Sequence, residues 1–78
     1  MKTKKELTVI EINFVFGGNN GNYYLKDEDG NVYYWNTASE KAYDELKEGT
    51  THTCSFVATN NTWNYKDTLV TTIKNVRF

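Results

Sequence analysis

Residues 31–50 read Asn31-Val32-Tyr33-Tyr34-Trp35-Asn36-Thr37-Ala38-Ser39-Glu40-Lys41-Ala42-Tyr43-Asp44-Glu45-Leu46-Lys47-Glu48-Gly49-Thr50, and their periodicity changes partway along. Up to Asn36 the residues are mainly β-branched and aromatic, the types that suit a pleated strand. Thr37-Ala38-Ser39-Glu40 then has the form of a capping box, with Thr37 as N-cap and Glu40 reaching back to it. Ala38, Ala42 and Leu46 repeat at helical spacing with Tyr43 beside them. Acids crowd the start, where the helix dipole favours them, and Gly49 is a natural stop. The stretch therefore predicts a strand over 31–36 and a helix over 38–47. A helix that short must pack on something to persist.

Outward from this switch the chain reads as strands. Upstream, residues 7–16 form a long β-rich run with Ile10, Ile12, Phe14 and Phe16 on one face and Glu11 and Asn13 on the other. Residues 17–21 are a glycine- and asparagine-rich turn, and residues 22–26 a second strand. Asp27-Glu28-Asp29-Gly30 joins it to the third as a compact hairpin turn. Downstream, residues 50–59 alternate His52, Cys54, Phe56 and Ala58 against Thr51, Thr53, Ser55 and Val57. Residues 60–66 read as a polar loop holding Trp63 and Tyr65, and residues 68–77 as a last strand rich in Thr, Val and Ile. The order is β-β-β-α-β-β, which predicts an all-β fold with one short helix: a five-stranded OB-fold barrel with its helix between strands 3 and 4. An SH3-like barrel would not place a helix of two to three turns there. No linker or internal repeat divides the chain, so residues 1–78 are expected to form one OB-like domain.

Composition narrows the function classes. A 78-residue domain has a thin core, and twelve Phe, Trp and Tyr residues supply the bulk it needs. The N-terminal residues are polar and basic, with no secretory h-region, and no apolar run is long enough for a membrane span. Cys54, the one cysteine, can form no internal disulfide. A free thiol without an export signal points to a cytoplasmic protein. The net charge of −1 is unevenly spread. Acids gather at 27–29 and 40–48. The rest of the chain holds Lys2, Lys4, Lys5, Lys26, Lys66, Lys74 and Arg77 against Glu6, Glu11 and Asp67, so a mildly basic side is expected.

Little here supports catalysis. His52 and Cys54 share a strand face, but a nucleophile pair needs an orienting third group, and none is visible. Two candidate ligands do not make a zinc site. Asp27-Glu28-Asp29-Gly30-Asn31 lacks the bidentate glutamate of a calcium loop. The reading is a non-enzyme with no cofactor and no metal.

The aromatic residues are the informative set. With Leu25 and Val32 flanking the hairpin turn as a core pair, Tyr23 and Tyr34 would also point inward. Tyr24, Tyr33 and Trp35 would then lie on the outer face with Lys26. In OB-folds that outer face, framed by the loops after strands 1 and 4, binds oligonucleotides and oligosaccharides. Aromatic faces that stack bases, beside cations that hold the backbone, are what unpaired nucleic acid requires. The candidate nucleic-acid-binding residues are therefore Tyr24, Lys26, Tyr33, Trp35, Trp63, Tyr65, Lys66 and Lys74, with Arg77 as a further phosphate contact.

The run Asp29-Gly30-Asn31-Val32-Tyr33-Tyr34-Trp35-Asn36-Thr37, the helix exit Leu46-Lys47-Glu48-Gly49, and Val57, Trp63 and Thr68-Leu69-Val70-Thr71-Thr72-Ile73-Lys74 follow one another in a recognisable order. In these pieces, over its last two-thirds, the chain resembles a group of small OB-like proteins of bacteriophages and mobile elements that bind single-stranded DNA or serve replication. The resemblance implies a phage or mobile-element protein acting in the cytoplasm of a bacterial host. The chain departs from the group at Ala58, Thr59, Asn60 and Thr72, where the group tends to carry basic residues, so weak binding is expected. The alternative reading is a protein-interaction module, an inhibitor or subunit that binds a host replication or defence protein through its exposed Tyr and Trp residues or its acidic helix. No membrane partner is expected. The edges of a partly open barrel would allow a homo-oligomer.

Overall fold

The computed structural model describes residues 2–15 and 20–78. Phe16, the expected end of the first strand, and residues 17–19 of the expected turn lie outside the described residues. Five strands and one helix run in the order β1 (Lys2–Phe14), β2 (Gly21–Lys26), β3 (Val32–Thr37), α1 (Glu40–Glu45), β4 (Thr51–Tyr65) and β5 (Thr68–Arg77). The strands close into a barrel in the order β1-β2-β3-β5-β4. All neighbours are antiparallel except β3 and β5, which pair in parallel from Val32↔Val70 to Tyr34↔Thr72. This is an OB-fold-like, all-β barrel with its helix between β3 and β4, as the order of elements in the sequence implies. Each strand has a neighbour on both sides, but the pairing is partial: β3 meets β5 only from Val32 to Tyr34, and β4 meets β1 only from Thr51 to Val57, so stretches of strand edge stay unpaired.

The barrel is filled from all its walls. Leu7 and Val9 of β1, Tyr23 and Leu25 of β2, Tyr33 of β3, Cys54 and Phe56 of β4 and Ile73 of β5 are buried together with Ala42 and Leu46, which α1 and its C-cap contribute. Helix α1 is shorter than the periodicity predicts. β3 continues through Thr37, which pairs with Gly21, so the helix begins two residues later. Ser39 is the N-cap, its Oγ accepting from the Ala42 N–H, while the Thr37 Oγ1 accepts from the Ser39 N–H. After the helix, Gly49 at φ +89° donates its N–H to the Val9 carbonyl at 2.7 Å, tying the turn to β1.

Two local features set which side chains face outward. The β2–β3 loop has five residues, 27–31, so Lys26 pairs with Val32 and Leu25 with Tyr33. A four-residue turn would have paired Leu25 with Val32. Because side chains alternate, this one-residue slip reverses the whole of β3. Tyr33 and Trp35 therefore face inward, and Val32 and Tyr34 face outward. Asp27 holds the loop: its Oδ1 accepts the N–H groups of Asp29 and Asn31, and its Oδ2 accepts from Lys5 Nζ, Asn31 Nδ2 and the Tyr33 hydroxyl. The second feature is a bulge in β1 between Val9, opposite Leu25, and Glu11, opposite Tyr24. It leaves Ile10 exposed, out of line with Ile12 and Phe14.

Candidate nucleic-acid interface

β4 does not end at residue 59. It runs on to Tyr65, returns through Lys66-Asp67 and pairs back as β5, with Trp63 opposite Val70 and Tyr65 opposite Thr68. The expected polar loop is thus the far arm of a long hairpin, and Trp63 and Tyr65 stand two apart on one face of it. That face meets the outer face of β2 and β3. Tyr24, Val32 and Val70 are buried there beneath Tyr34, Trp63 and Tyr65, a second apolar cluster outside the barrel.

Four rings make up this cluster. Tyr65 stacks on Tyr24 with centroids 4.3 Å apart. Trp63 meets Tyr24 edge-on at 6.0 Å, Tyr34 at 5.4 Å and Tyr65 at 5.6 Å, and Tyr34 lies 5.4 Å from Tyr24. Edge-to-face and offset contacts of this kind add to simple burial. Tyr24 is only 5% exposed, while Tyr34, Trp63 and Tyr65 are half-buried and keep part of their surface in water. Burial, followed by the neighbouring tyrosines, raises the pKa of the Tyr24 phenol.

The rim is polar and nearly neutral. On β2 and β3, Asn22 Oδ1 accepts from the Tyr34 hydroxyl at 2.7 Å and from Asn36 Nδ2 at 2.6 Å. On β1 the Glu11 carboxylate accepts from the Tyr65 hydroxyl, from Lys66 Nζ at 2.9 Å and from Asn13 Nδ2 at 2.9 Å. Those donors, Tyr65 first, hold its carboxyl down at about 2. Lys66 also sits over the Tyr65 ring, 5.2 Å from its centroid. Between this rim and the rings lies a notch of about 170 Å³ lined by Ile10, Tyr24, Val32, Tyr65, Thr68 and Val70. Pockets that enclose a whole small ligand run to roughly 300–1,000 Å³, so the notch is too small to enclose one.

The eight residues singled out from the sequence are not all brought together. Tyr24, Trp63 and Tyr65 meet in the cluster, Lys66 lies over the Tyr65 ring at its margin, and Lys26 is exposed on the same outer face of β2. Tyr33 and Trp35 are displaced from it by the five-residue loop. Tyr33 is buried against Phe56 with its hydroxyl on Asp27, and Trp35 packs between Tyr23 and Phe78. Lys74 is exposed opposite Val57, further along β5, and Arg77 is exposed near the strand end opposite Ser55. The sequence reading missed Tyr34, which the same slip brings to the outer face, and Glu11, whose partners other than Asn13 are 54 and 55 residues away.

A second cavity of about 520 Å³ lies elsewhere, lined by Phe14, Tyr23, Thr37, Ala38, Ser39, Glu40 and Tyr43. Phe14 and Tyr43, each more than half exposed, touch at 5.5 Å beside it. Cys54 and His52 show no nucleophile geometry: the Cys54 thiol is buried, its pKa raised by that burial, and it points to the His52 carbonyl. Among the described residues no group of three or more His, Cys, Asp or Glu is placed to hold a metal ion, and no helix is long and apolar enough to cross a membrane.

Fold and site together define the class: an OB-fold-like barrel with an aromatic cluster on the outer face of β2 and β3, covered by its β4–β5 hairpin. No family model, no curated protein and no solved structure matches the chain.

Proposed function

We propose that the chain is a non-catalytic binding module that takes a stretch of single-stranded nucleic acid across its outer aromatic face. The observation that carries this reading is the gathering of Tyr34, Trp63 and Tyr65 over Tyr24 at the surface where OB folds take oligonucleotides. Partly exposed rings stack bases without regard to sequence, and Lys26 and Lys66 lie on the same face for the backbone. Two cations release few counterions, so binding is weak and its salt dependence shallow. The resemblance to phage and mobile-element proteins supports, as part of the same proposal, a role in nucleic-acid transactions of a bacterial host's cytoplasm. The test is tryptophan fluorescence during titration with oligothymidine at low and moderate salt. Saturable quenching in the tens of micromolar is expected, and an unchanged spectrum at low salt removes the reading.

One observation favours a second reading, a protein-interaction module. Phe14, Val15 and Tyr43 are exposed next to the acidic residues of α1, Glu40, Asp44 and Glu45, away from the aromatic cluster. An exposed apolar patch with an acidic margin suits a basic protein surface. Pull-down from a bacterial lysate that yields no stoichiometric partner counts against it.

A further inference from the structure

We infer that Glu11 occupies an anion subsite of the aromatic face, and that a phosphodiester of the bound strand displaces it. The inference rests on the nucleic-acid reading above. Three donors from three places in the chain converge on this one carboxylate: Asn13 of β1, Tyr65 at the end of β4 and Lys66 in the following turn. An ammonium, a phenol and an amide around one centre form a set that binds a phosphate as readily as a carboxylate. The β1 bulge places the carboxylate there. With Ile10 as the extra residue, Glu11 stands opposite Tyr24 and reaches the outer face beside the stacked rings. The apolar notch beneath it is bounded by Tyr24 and Tyr65, so a base entering there carries its phosphate towards Glu11. Lys66 is 68% exposed and Glu11 26%, so the pair is open to competition from solvent and ligand.

The charge on Glu11 cancels that of Lys66 in the unbound protein. Its removal leaves a cation and two neutral donors for a backbone phosphate, which adds one contact of the kind that releases a counterion.

The experiment compares wild type, Glu11→Gln, Lys66→Gln and the double variant in titrations with oligothymidine across a salt series. Glu11→Gln keeps the shape of the side chain and a carbonyl oxygen for the Tyr65 hydroxyl, and near-ultraviolet circular dichroism checks that the aromatic cluster is intact. Glu11→Gln is expected to bind roughly two- to fivefold tighter at low salt. Its slope of log K against log salt should steepen by about 0.7. The double variant should lose both gains. If wild type binds and Glu11→Gln binds equally or more weakly with the same slope, the inference is overturned while the nucleic-acid reading stands. If only Glu11→Gln binds, no strand displaces Glu11 in the wild-type chain, and both the inference and the nucleic-acid reading are overturned. If neither binds, both fall. An acidic peptide that gains as much from Glu11→Gln as the oligonucleotide does overturns the phosphodiester assignment in favour of a protein ligand.

Discussion

The ring of Tyr65, at the end of β4, lies flat on the ring of Tyr24 in β2, 9° from parallel, although helix α1 and two strand connections separate them in the chain. This stack fixes the β4–β5 hairpin against β2. Replacing Tyr65 by alanine should uncover Tyr24 and lower stability by about 1–2 kcal/mol. Tyr65→Phe should cost less, because it keeps the stack and loses only the hydroxyl's bonds to Glu11 and from Asn13. Urea unfolding measures both, as a shift of midpoint at constant slope. Equal losses for the two variants would mean that the hydroxyl, and not the stack, holds the hairpin.

The two tryptophans report on opposite sides of the sheet. Trp63 lies in the outer cluster, whereas Trp35 packs 6.2 Å from Tyr23 and 6.1 Å from Phe78. Quenching by oligothymidine should therefore survive in Trp35→Phe and disappear in Trp63→Phe. Trp63→Ala should weaken binding by about 1–3 kcal/mol, the contribution of one stacked base. Quenching confined to Trp35 would move the ligand away from this face.

The fold was legible because it depends on the order of elements, and that order is written in coarse periodicity. The helix at 40–45 shows in Ala42 and Leu46, both fully buried, even though its cap lies at Ser39 and not at Thr37. The site was half legible. The aromatic composition of β2 and β3 pointed to the correct strands, but the side on which each ring lies depends on a loop one residue longer than its glycine suggests. That residue, Asn31, is held in the loop by the Asp27 carboxylate, a side-chain interaction that no periodicity records. The hairpin at 60–72 was illegible for a related reason. Its turn is Lys66-Asp67, with no glycine or asparagine to mark it, and its strand residues Asn60, Asn61, Thr62 and Asn64 read as loop.

Asp27 should make the barrel acid-sensitive. Burial pushes this carboxyl up, but the bonds from Lys5, Asn31 and Tyr33 outweigh it and hold the carboxyl far below the usual range. A carboxylate depressed on folding contributes stability that is complete above its unfolded value, about 3.9, and is lost as pH falls through the folded value. Stability should thus be level above about pH 5 and fall steadily below about pH 4, with Glu11, held at about 2, adding to the same trend. Asp27→Ala strands the Tyr33 hydroxyl and two backbone N–H groups, and should cost about 2–4 kcal/mol at neutral pH while flattening the acid limb. Chemical denaturation between pH 2 and 7 tests it. An acid limb unchanged in the variant would assign the sensitivity to other carboxylates.

Cys54 is buried in the barrel, with its thiol shifted away from ionisation by that burial. A thiol reagent needs an accessible thiolate. Native protein should therefore react with a disulfide reagent only at its opening rate, and at once in denaturant. Stoichiometric reaction within seconds under native conditions would show that the β4 wall opens locally.

The Lys66-Asp67 turn holds two adjacent non-glycine residues in the left-handed region. Tyr65 pairs with Thr68, so the loop has two residues, and both have positive φ, 51° and 64°. That is the pattern of a type I′ turn, whose twist suits a hairpin and whose usual occupants are Asn and Gly. A left-handed conformation costs an ordinary L-residue roughly 1–2 kcal/mol. Lys66 has a reason to remain, since from this position it reaches Glu11. Asp67 is exposed, and no side-chain hydrogen bond or ion pair of the described residues involves it. Asp67→Gly should relieve the strain and lose part of the gain to the greater freedom of glycine in the unfolded chain. The net stabilisation is about 0.5–1 kcal/mol. Asp67→Ala should move the other way, because alanine meets the same steric cost without the local hydrogen bonding that lets aspartate tolerate it. Opposite signs for the two variants in urea unfolding would trace the cost to backbone geometry. Equal signs would trace it to the lost carboxylate.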